Sequence, residues 1–302
     1  MNTEEPSQEA HLTATSGILK AYYELTKPRL NLMSVLTAVV GYLAATTTIE
    51  WTLLLNIIFG TASTAAGAAV LNSWMEREID ACMPRTRGRP LPSGQIGADA
   101  ALVYGICLGT IGCLFLLLTV NGRAALLALS TLVIYVLIYT PLKSRSPWCT
   151  EIGAVAGALP PLIGWAAAEG VIDLRGWVLF GILFAWQMPH FMAIAWRFRE
   201  DYRQGGLPML SVIDPSGDKV AGCSLIYTLL LILLSMLWWG LSASTLAYGI
   251  IAIALNAYIL YKALRFAKET ERDVAAVGLF HASIIYLPIL MGIMVIDRWF
   301  IS

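Results

Sequence analysis

Nine long apolar runs are the feature of this 302-residue chain that most constrains its fold. A helix needs about 20 such residues to cross the roughly 30 Å hydrocarbon core of a bilayer. Because lipid offers no partner to backbone polar groups, runs of this kind fold as helices. They cover approximately Leu30–Thr47, Trp51–Leu71, Ala100–Val120, Ala124–Tyr139, Ile152–Ala168, Trp177–Trp196, Val220–Leu241, Leu246–Leu264 and Leu279–Ile296. We therefore expect an all-α integral membrane protein with nine transmembrane helices.

The distribution of lysines and arginines predicts the orientation. Of the 20, 17 lie before the first run or in every second loop after it, and the other three are Arg123, Arg175 and Arg298. Because cytoplasmic loops retain basic residues during insertion, the N-terminus is expected in the cytoplasm. The fourth run is short, so eight or ten spans are the alternatives, but either would scramble this division of charge.

Residues 1–25 are expected to form a flexible cytoplasmic segment, and residues 26–302 the membrane domain. Residues 1–23 contain three glutamates and one basic residue, Lys20, unlike an arginine-rich mitochondrial presequence. A bacterial inner membrane is the expected location, with the lipid bilayer as the main surroundings. The net charge of zero gives no reason to expect a nucleic-acid partner.

Polar residues recur at corresponding points of the two halves. Asp80 and Asp201 are 121 positions apart, Tyr139 and Tyr261 are 122 apart, and each tyrosine is followed four residues later by a cation. This predicts two four-helix halves plus a ninth helix, with a site where the halves meet. Coincidence among similar hydrophobic helices is the alternative.

A stripe of oxygen-bearing side chains follows the second run. Asn72, Glu76 and Asp80 recur every four residues, so on a helix they share one face. Mg²⁺ takes a few such oxygens and completes its shell with water and phosphate oxygens. The stripe therefore predicts a site for a metal diphosphate.

An arginine-rich loop follows the stripe. Arg85, Arg87 and Arg89 stand in a stretch broken by two prolines and a glycine, which cannot remain helical and can fold back over the acids. Guanidinium groups bind phosphate oxygens in pairs, and stabilising a diphosphate leaving group lets a carbon–oxygen bond break. A solvated loop that obeys the positive-inside rule would explain the arginines but not the stripe.

These residues, with Met83, Thr86, Pro90 and Leu91, resemble the first signature of the intramembrane UbiA-type prenyltransferases. The run WQMPHFMAIAWRFREDYRQGGLPML, Trp186–Leu210, is similar to the heme-farnesylating members, and the likeness extends from about Thr26 to Ile296. It implies nine helices around a lipid-accessible central cavity. It also implies Mg²⁺-dependent transfer of farnesyl from farnesyl diphosphate to a vinyl group of heme B.

We assign roles on this basis. The expected Mg²⁺ ligands are Asn72, Glu76, Asp80 and Asp201. The expected diphosphate ligands are Arg85, Arg89 and Lys143. Tyr139, one helical turn before Lys143, is the first candidate to stabilise an allylic cation through its ring face. Its alternative role is an interfacial anchor for the helix end.

The second half departs from the superfamily pattern. Many members carry a second acid-x-x-x-acid motif, but here Gly205 stands four residues after Asp201. Asp214 and Asp218 have the right spacing, yet Pro215 and Gly217 between them would break the helix that aligns them. We interpret this later pair as a loop without a metal.

His190, in the run QMPHF, is the first candidate for heme contact, with Gln187 and Trp186 beside it. A neutral imidazole can ligate heme iron or bind a propionate. A histidine that is simply hydrogen-bonded within the helix bundle is the alternative.

Two other functions remain open from the residues. One is the same chemistry on an aromatic quinone precursor, against which the QMPHF run argues. The other is an ion-coupled transporter, whose site would lie near the bilayer midplane instead of at a helix end. The sequence also leaves open whether a downstream heme A synthase binds directly.

Overall fold

The computed structural model describes residues 8–241, 244–268 and 270–301, and within them the chain is helical, without a β-strand. The helices are α1 Gln8–Leu25, α2 Pro28–Ala45, α3 Trp51–Cys82, α4 Ala98–Thr119, α5 Gly122–Val133, α6 Thr140–Lys143, α7 Cys149–Ala158, α8 Pro160–Glu169, α9 Leu174–Arg197, α10 Arg199–Gln204, α11 Leu210–Ile213, α12 Asp218–Leu241, α13 Leu246–Ala267 and α14 Arg272–Ile296. Two π-helical stretches, Ile134–Tyr139 and Asp297–Ile301, join α5 to α6 and extend α14.

Nine helical units of the described chain are long and apolar enough to cross a membrane. Six are the single helices α2, α3, α4, α9, α12 and α13, and three are composite: Gly122–Lys143, Cys149–Glu169 and Arg272–Phe300. The middle composite bends at Leu159, because the two prolines that follow have no backbone N–H to continue the α7 ladder. The prediction of nine spans is confirmed, and the chain is a multi-pass membrane protein.

Two helices extend beyond their apolar runs. α3 continues from the predicted end at Leu71 to Cys82, and α14 begins at Arg272, before the predicted start at Leu279. Hydropathy marks only the part of a helix that lies in hydrocarbon, so it stops short of such polar extensions. The extension of α3 carries the predicted polar stripe.

The N-terminal segment contains a helix. Residues 8–25 form α1, in which Ala21 and Leu25 are each only 2% exposed. Tyr22 meets Tyr104 of α4 edge to face, with ring centroids 5.1 Å apart. The end of α1 is therefore packed against the bundle, and the flexibility expected for residues 1–25 stays a prediction. Residues 1–7 lie outside the described residues.

Close packing against α4 fixes the position of α3, and with it that of the polar extension. A Cβ on Gly67 of α3 would lie 2.7 Å from the Cα of Gly109 in α4, so only glycine permits this approach. In the second half, α9 packs against α12 and α14 around a large apolar cluster. We call the end of the bundle where α3, α9 and α13 finish the site end, because the predicted site residues lie there.

Candidate active site

The polar stripe of α3 is buried within the protein. Asn72, Glu76 and Asp80 are 2%, 6% and 1% exposed and lie on consecutive turns of one continuous helix. Burying carboxylates is costly unless charge or hydrogen bonds compensate them. Their neighbours therefore determine what this stripe can do.

Each member of the stripe contacts one cation. Lys143 Nζ lies 2.9 Å from Glu76 Oε1, and Arg89 NH1 lies 2.7 Å from Asp80 Oδ2. At the deep end of the stripe, the Asn72 side-chain oxygen accepts a hydrogen bond of 2.8 Å from a third cation. Metal-type oxygens and phosphate-type cations thus meet at one place.

The third cation is Lys27, which the sequence analysis did not identify. It adopts a left-handed backbone conformation (φ 49°) immediately before Pro28 opens α2. Removal of the ammonium from water lowers the pKa of Lys27 to about 8, and the nearby charge of Arg89 acts in the same direction. The sequence offered one indication that Lys27 belongs to the site, namely a lysine directly before a helix-opening proline. This indication is weak, because the contact with Asn72 appears only in the fold.

Asn72 is also oriented from the opposite side. Its side-chain NH₂ donates to Thr140 Oγ1 at 3.0 Å, and that hydroxyl donates to the Tyr135 carbonyl at 2.8 Å. With the amide nitrogen committed to Thr140, the amide oxygen faces Lys27. Asn72 thus presents an acceptor towards the cation side of the stripe.

The arginine-rich loop folds back over the stripe. The Thr86 hydroxyl donates to the Asp80 carbonyl at 2.8 Å, which fixes the start of the loop to the end of α3. Arg85 Nε lies 3.6 Å from Asp201 Oδ2, and its guanidinium lies 5.1 Å from the centroid of the Phe198 ring. The loop therefore joins the acid of the second half to the stripe of the first.

Two stacked tyrosines line the approach to Lys143. The rings of Tyr135 and Tyr139 lie 5.2 Å apart at 23°, on the π-helical stretch that leads into α6. A Cβ on Gly153 of α7 would lie 2.9 Å from the Tyr139 ring, so this glycine lets the ring lie flat against α7. The pair presents aromatic surface near the Glu76–Lys143 contact.

The four predicted metal ligands do not form a ready-made acid cluster. Within residues 8–241, 244–268 and 270–301, no three His, Cys, Asp or Glu side chains converge closely enough to hold a metal. A divalent ion here would take one or two carboxylates and complete its shell with water and phosphate oxygens. This is how Mg²⁺ commonly binds, so the donor set suits a metal that arrives with a diphosphate.

The three candidate heme residues point to different neighbours. Gln187 is buried and donates to the Ala154 carbonyl of α7 at 3.0 Å. His190 instead faces α14, where its ring lies between Trp186 and Phe280, at centroid distances of 5.0 and 5.1 Å. The structure brings His190 and Trp186 together and turns Gln187 towards α7.

Ser283 of α14 contacts the Nδ1 atom of His190. Its hydroxyl lies 2.6 Å from the Phe280 carbonyl and 2.8 Å from His190 Nδ1. When the hydroxyl proton is donated to the Phe280 carbonyl, the serine oxygen accepts a hydrogen bond from Nδ1–H. The lone pair of the imidazole is then on Nε2, the atom that a metal would bind. Ser283 was not among the site residues predicted from the sequence.

Comparison with known proteins identifies the family. The model of the UbiA prenyltransferase family matches residues 34–284. The chain belongs to the UbiA prenyltransferase family. A protoheme IX farnesyltransferase from Opitutus terrae is 49% identical over 291 residues, which cover 95% of this chain and 98% of the relative. Another from Solibacter usitatus is 41% identical and covers 93% and 99%.

Solved structures share the UbiA fold. A digeranylgeranylglyceryl phosphate synthase superposes with a TM-score of 0.80 at 21% identity, covering 93% of this chain and 98% of the other. A UbiA homologue from Archaeoglobus fulgidus bound to GPP and Mg²⁺ gives 0.65 at 14% identity, covering 91% and 99%. At these identities the likeness establishes the fold alone.

Asp214 and Asp218 have structural contacts in this UbiA chain. Asp214 accepts hydrogen bonds from the backbone N–H groups of Lys219 and Val220, at 2.8 and 3.3 Å, in the first turn of α12. Asp218 pairs with Arg272 of α14 at 2.8 Å. The first carboxylate stabilises a helix start and the second joins two helices. These contacts favour the interpretation of this pair as a loop without a metal.

Proposed function

We propose that this chain transfers the farnesyl group of farnesyl diphosphate to a vinyl group of heme B, giving heme O and diphosphate. The observation that carries the proposal is the 49% identity to the Opitutus terrae protoheme IX farnesyltransferase over nearly the whole length of both chains. The same likeness favours heme over a quinone precursor as acceptor, and group transfer over ion transport.

The cations of the site bind the diphosphate. In the structure, Lys27, Lys143 and Arg89 each contact a member of the polar stripe, and Arg85 contacts Asp201. When the substrate arrives, its phosphate oxygens replace these contacts, since guanidinium and ammonium groups bind phosphate as readily as carboxylate. The freed oxygens of Asn72, Glu76, Asp80 and Asp201 would hold Mg²⁺.

Binding of the diphosphate by these cations weakens the bond between the first farnesyl carbon and the diphosphate oxygen. Mg²⁺ supplies further positive charge beside the leaving diphosphate when it is bound. As the bond breaks, its electron pair stays on the diphosphate, where Lys143, Arg85 and Arg89 stabilise the developing charge. The faces of Tyr135 and Tyr139 stabilise the allylic cation that remains on the farnesyl chain.

The second step of the reaction takes place at the heme, because the allylic cation is electron-poor and needs an electron-rich acceptor. The π electrons of the heme vinyl group form the new carbon–carbon bond, which moves the positive charge to the carbon next to the porphyrin. Water adds there and loses a proton, leaving a hydroxyalkyl group. We assign heme iron to His190 Nε2 and the porphyrin face to Trp186, because the Ser283 contact leaves that nitrogen free to coordinate.

We place the protein in the bacterial cytoplasmic membrane, with the N-terminus and the site end in the cytoplasm. Support comes from the 17-to-3 division of basic residues and from the bacterial relatives. The product would be the substrate of a heme A synthase, which we propose as the next protein in the sequence of reactions.

Turnover by purified membranes tests the proposal. Membranes supplied with heme B, farnesyl diphosphate and Mg²⁺ should form heme O, detected by its mass. Formation of prenylated hydroxybenzoate, with no heme O, would move the assignment to a quinone precursor. Substrate-independent ion flux without either product would favour transport.

Asp80→Asn should lower the turnover number by at least roughly 100-fold, because it removes a charged ligand from the diphosphate site. The matched control is Asp99→Asn, an exposed acid in the first turn of α4 at the same end of the bundle. Insertion and folding are checked by size-exclusion chromatography in detergent. Full activity of a folded Asp80→Asn protein would remove Asp80 from the site.

A further inference from the structure

A group of cationic and aromatic side chains near the end of α13 has no part in the proposed reaction. It consists of Tyr258, Tyr261, Lys262 and Arg265, which we call the outer patch. Tyr258 and Tyr261 are 40% and 53% exposed, although they lie in a membrane-spanning helix. The patch thus faces lipid at the site end of the bundle.

Lys262 lies in the seam between α13 and α14. Its Nζ is 5.5 Å from the centroid of the Tyr258 ring and 5.7 Å from that of Tyr261. It also lies 3.8 Å from where a Cβ would stand on Gly278 of α14. At 1.5 Å of rise per residue, Lys262 is about 8 Å below the end of α13 at Ala267. A side chain this close to the end of a spanning helix is within reach of the headgroup region, which is about 5–8 Å thick on each side of the hydrocarbon core.

The described part of the chain places no carboxylate against the ammonium of Lys262. Among residues 8–241, 244–268 and 270–301, no carboxylate lies within ion-pair distance of Lys262 and no acceptor takes a hydrogen bond from it. Arg265, by contrast, lies 3.5 Å from Glu271 and donates to the Tyr261 hydroxyl at 3.3 Å. Tyrosine faces attract a cation but offer no proton acceptor in the ring. An anionic ligand in the seam would neutralise the charge of Lys262.

The pseudo-repeat points to the class of ligand. Tyr261 and Arg265 have the same spacing as Tyr139 and Lys143, the pair that borders the candidate diphosphate site in the first half. In the second half the tyrosine and the cation face outward instead of into the bundle. The same phosphate-binding side chains are therefore presented to the leaflet.

We propose that the seam between α13 and α14 binds the phosphate group of an anionic phospholipid through Lys262, with Arg265 as a second contact. Charge complementarity supports this occupant, since basic pockets between transmembrane helices bind anionic headgroups. Tyr258 and Tyr261 pack beside the glycerol region, where amphipathic rings are favoured. The comparison with Tyr139 and Lys143 rests on the proposed diphosphate site, whereas the charge and position of Lys262 do not.

Native mass spectrometry of the purified full-length chain tests the lipid site. Phosphatidylglycerol and phosphatidylcholine are titrated separately into the protein in detergent. Lys262→Gln should weaken phosphatidylglycerol binding about fivefold, the effect of one basic residue near a membrane surface. The matched control, Lys219→Gln, removes an exposed lysine at the site end of α12 and should bind like the unchanged chain. Arg265→Gln should show a smaller loss, because Glu271 already compensates that charge.

Three results would overturn the proposal. These are equal phosphatidylglycerol affinities for Lys262→Gln and Lys219→Gln, equal affinities of the unchanged chain for the two lipids, and displacement of phosphatidylglycerol by millimolar inorganic phosphate. Size-exclusion chromatography shows whether each variant is folded. Farnesyl transfer in lipid-free detergent should stay unchanged in Lys262→Gln, so loss of the lipid site and failure of the proposed reaction give different results.

Discussion

At the scale of single residues, the candidate site is a set of oxygens that are each held by a cation. The side chains of Glu76 and Lys143 are 8% and 17% exposed. A buried ion pair rarely stabilises a fold more than an apolar pair of similar size. Pairs at this depth are better explained by exchange with a charged ligand than by stability.

Sequence periodicity predicted the stripe but not its partners. Asn72, Glu76 and Asp80 share a face because of local helix geometry, which spacing reveals. The partners Lys27 and Thr140 lie 45 and 68 residues from Asn72 in the chain, and Ser283 lies 93 from His190. Contacts over such separations depend on helix packing, which one sequence does not display.

Lys27→Met should raise the KM for farnesyl diphosphate by roughly tenfold or more, because a hydrogen bond to a charged group is lost. Lys27→Arg keeps the charge and should retain most of the affinity. Steady-state kinetics at saturating heme B measures both. An unchanged KM in Lys27→Met would show that Lys27 only holds Asn72 in place.

Ser283→Ala should weaken heme B binding by about tenfold, as is usual when a partner that orients a metal-binding histidine is lost. The heme Soret band of the loaded protein should shift, because His190 Nδ1 loses the hydroxyl that orients the imidazole. Ser224→Ala, a buried hydroxyl on α12 without a hydrogen-bond partner, is the control. A Soret band identical in both variants would contradict iron coordination by His190.

At the scale of elements, apolar runs predicted the nine spans and missed what lies outside lipid. The helical end of α3 and the docked end of α1 are polar or short, so hydropathy gives no signal for them. The π-helical stretch that ends at Tyr139 lies inside the fourth apolar run, where hydropathy predicts a helix but not its π-helical geometry. The bend at Leu159 is marked by two prolines, a local signal that was available.

A polar network joins three of the second-half helices. Asn256 of α13 donates to Ser235 Oγ of α12 at 2.8 Å and accepts from the Tyr286 hydroxyl of α14 at 2.7 Å. Asn256→Ala would remove the acceptor of the Tyr286 hydroxyl in an apolar setting, whereas the Ser235 hydroxyl keeps its hydrogen bond to the Ile232 carbonyl at 2.9 Å. We expect a loss of about 1 kcal/mol in the free energy of unfolding, measured by denaturant titration in detergent.

The control for that loss is Asn56→Ala at the start of α3, whose side chain makes one long hydrogen bond of 3.4 Å to the Thr119 carbonyl. Its free energy of unfolding should change little. Turnover per folded molecule should be unaffected by Asn256→Ala, because the network is remote from the stripe. Equal stability of the two variants would mean that the network does not stabilise the bundle.

At the scale of the whole molecule, the two halves meet through the Arg85–Asp201 contact. The sequence predicted a site between halves from the matched positions of Asp80 and Asp201. It did not predict that the loop of one half would reach the acid of the other, because loop conformation depends on the surface beneath it. The membrane orientation, in contrast, can be predicted from the sequence alone, because insertion depends on how many lysines and arginines each loop carries. It stays a prediction.

Asp201→Asn should lower turnover strongly while changing the free energy of unfolding by less than about 1 kcal/mol, since partly exposed ion pairs contribute little to stability. The matched control is Glu200→Gln, the adjacent acid, which pairs with Arg203 on the same short helix. Turnover and thermal unfolding of the two variants are compared. Equal turnover would exclude Asp201 from the reaction.

Three of the four site cations, Lys143, Arg89 and Arg85, each lie beside a carboxylate, and this pairing has a consequence for how the substrate arrives. Cations that are paired with carboxylates project little field beyond the protein, so they exert only a weak long-range attraction on dissolved anions. Farnesyl diphosphate, anchored by its tail, would instead arrive by lateral diffusion within the leaflet. Its capture rate should then be nearly independent of ionic strength.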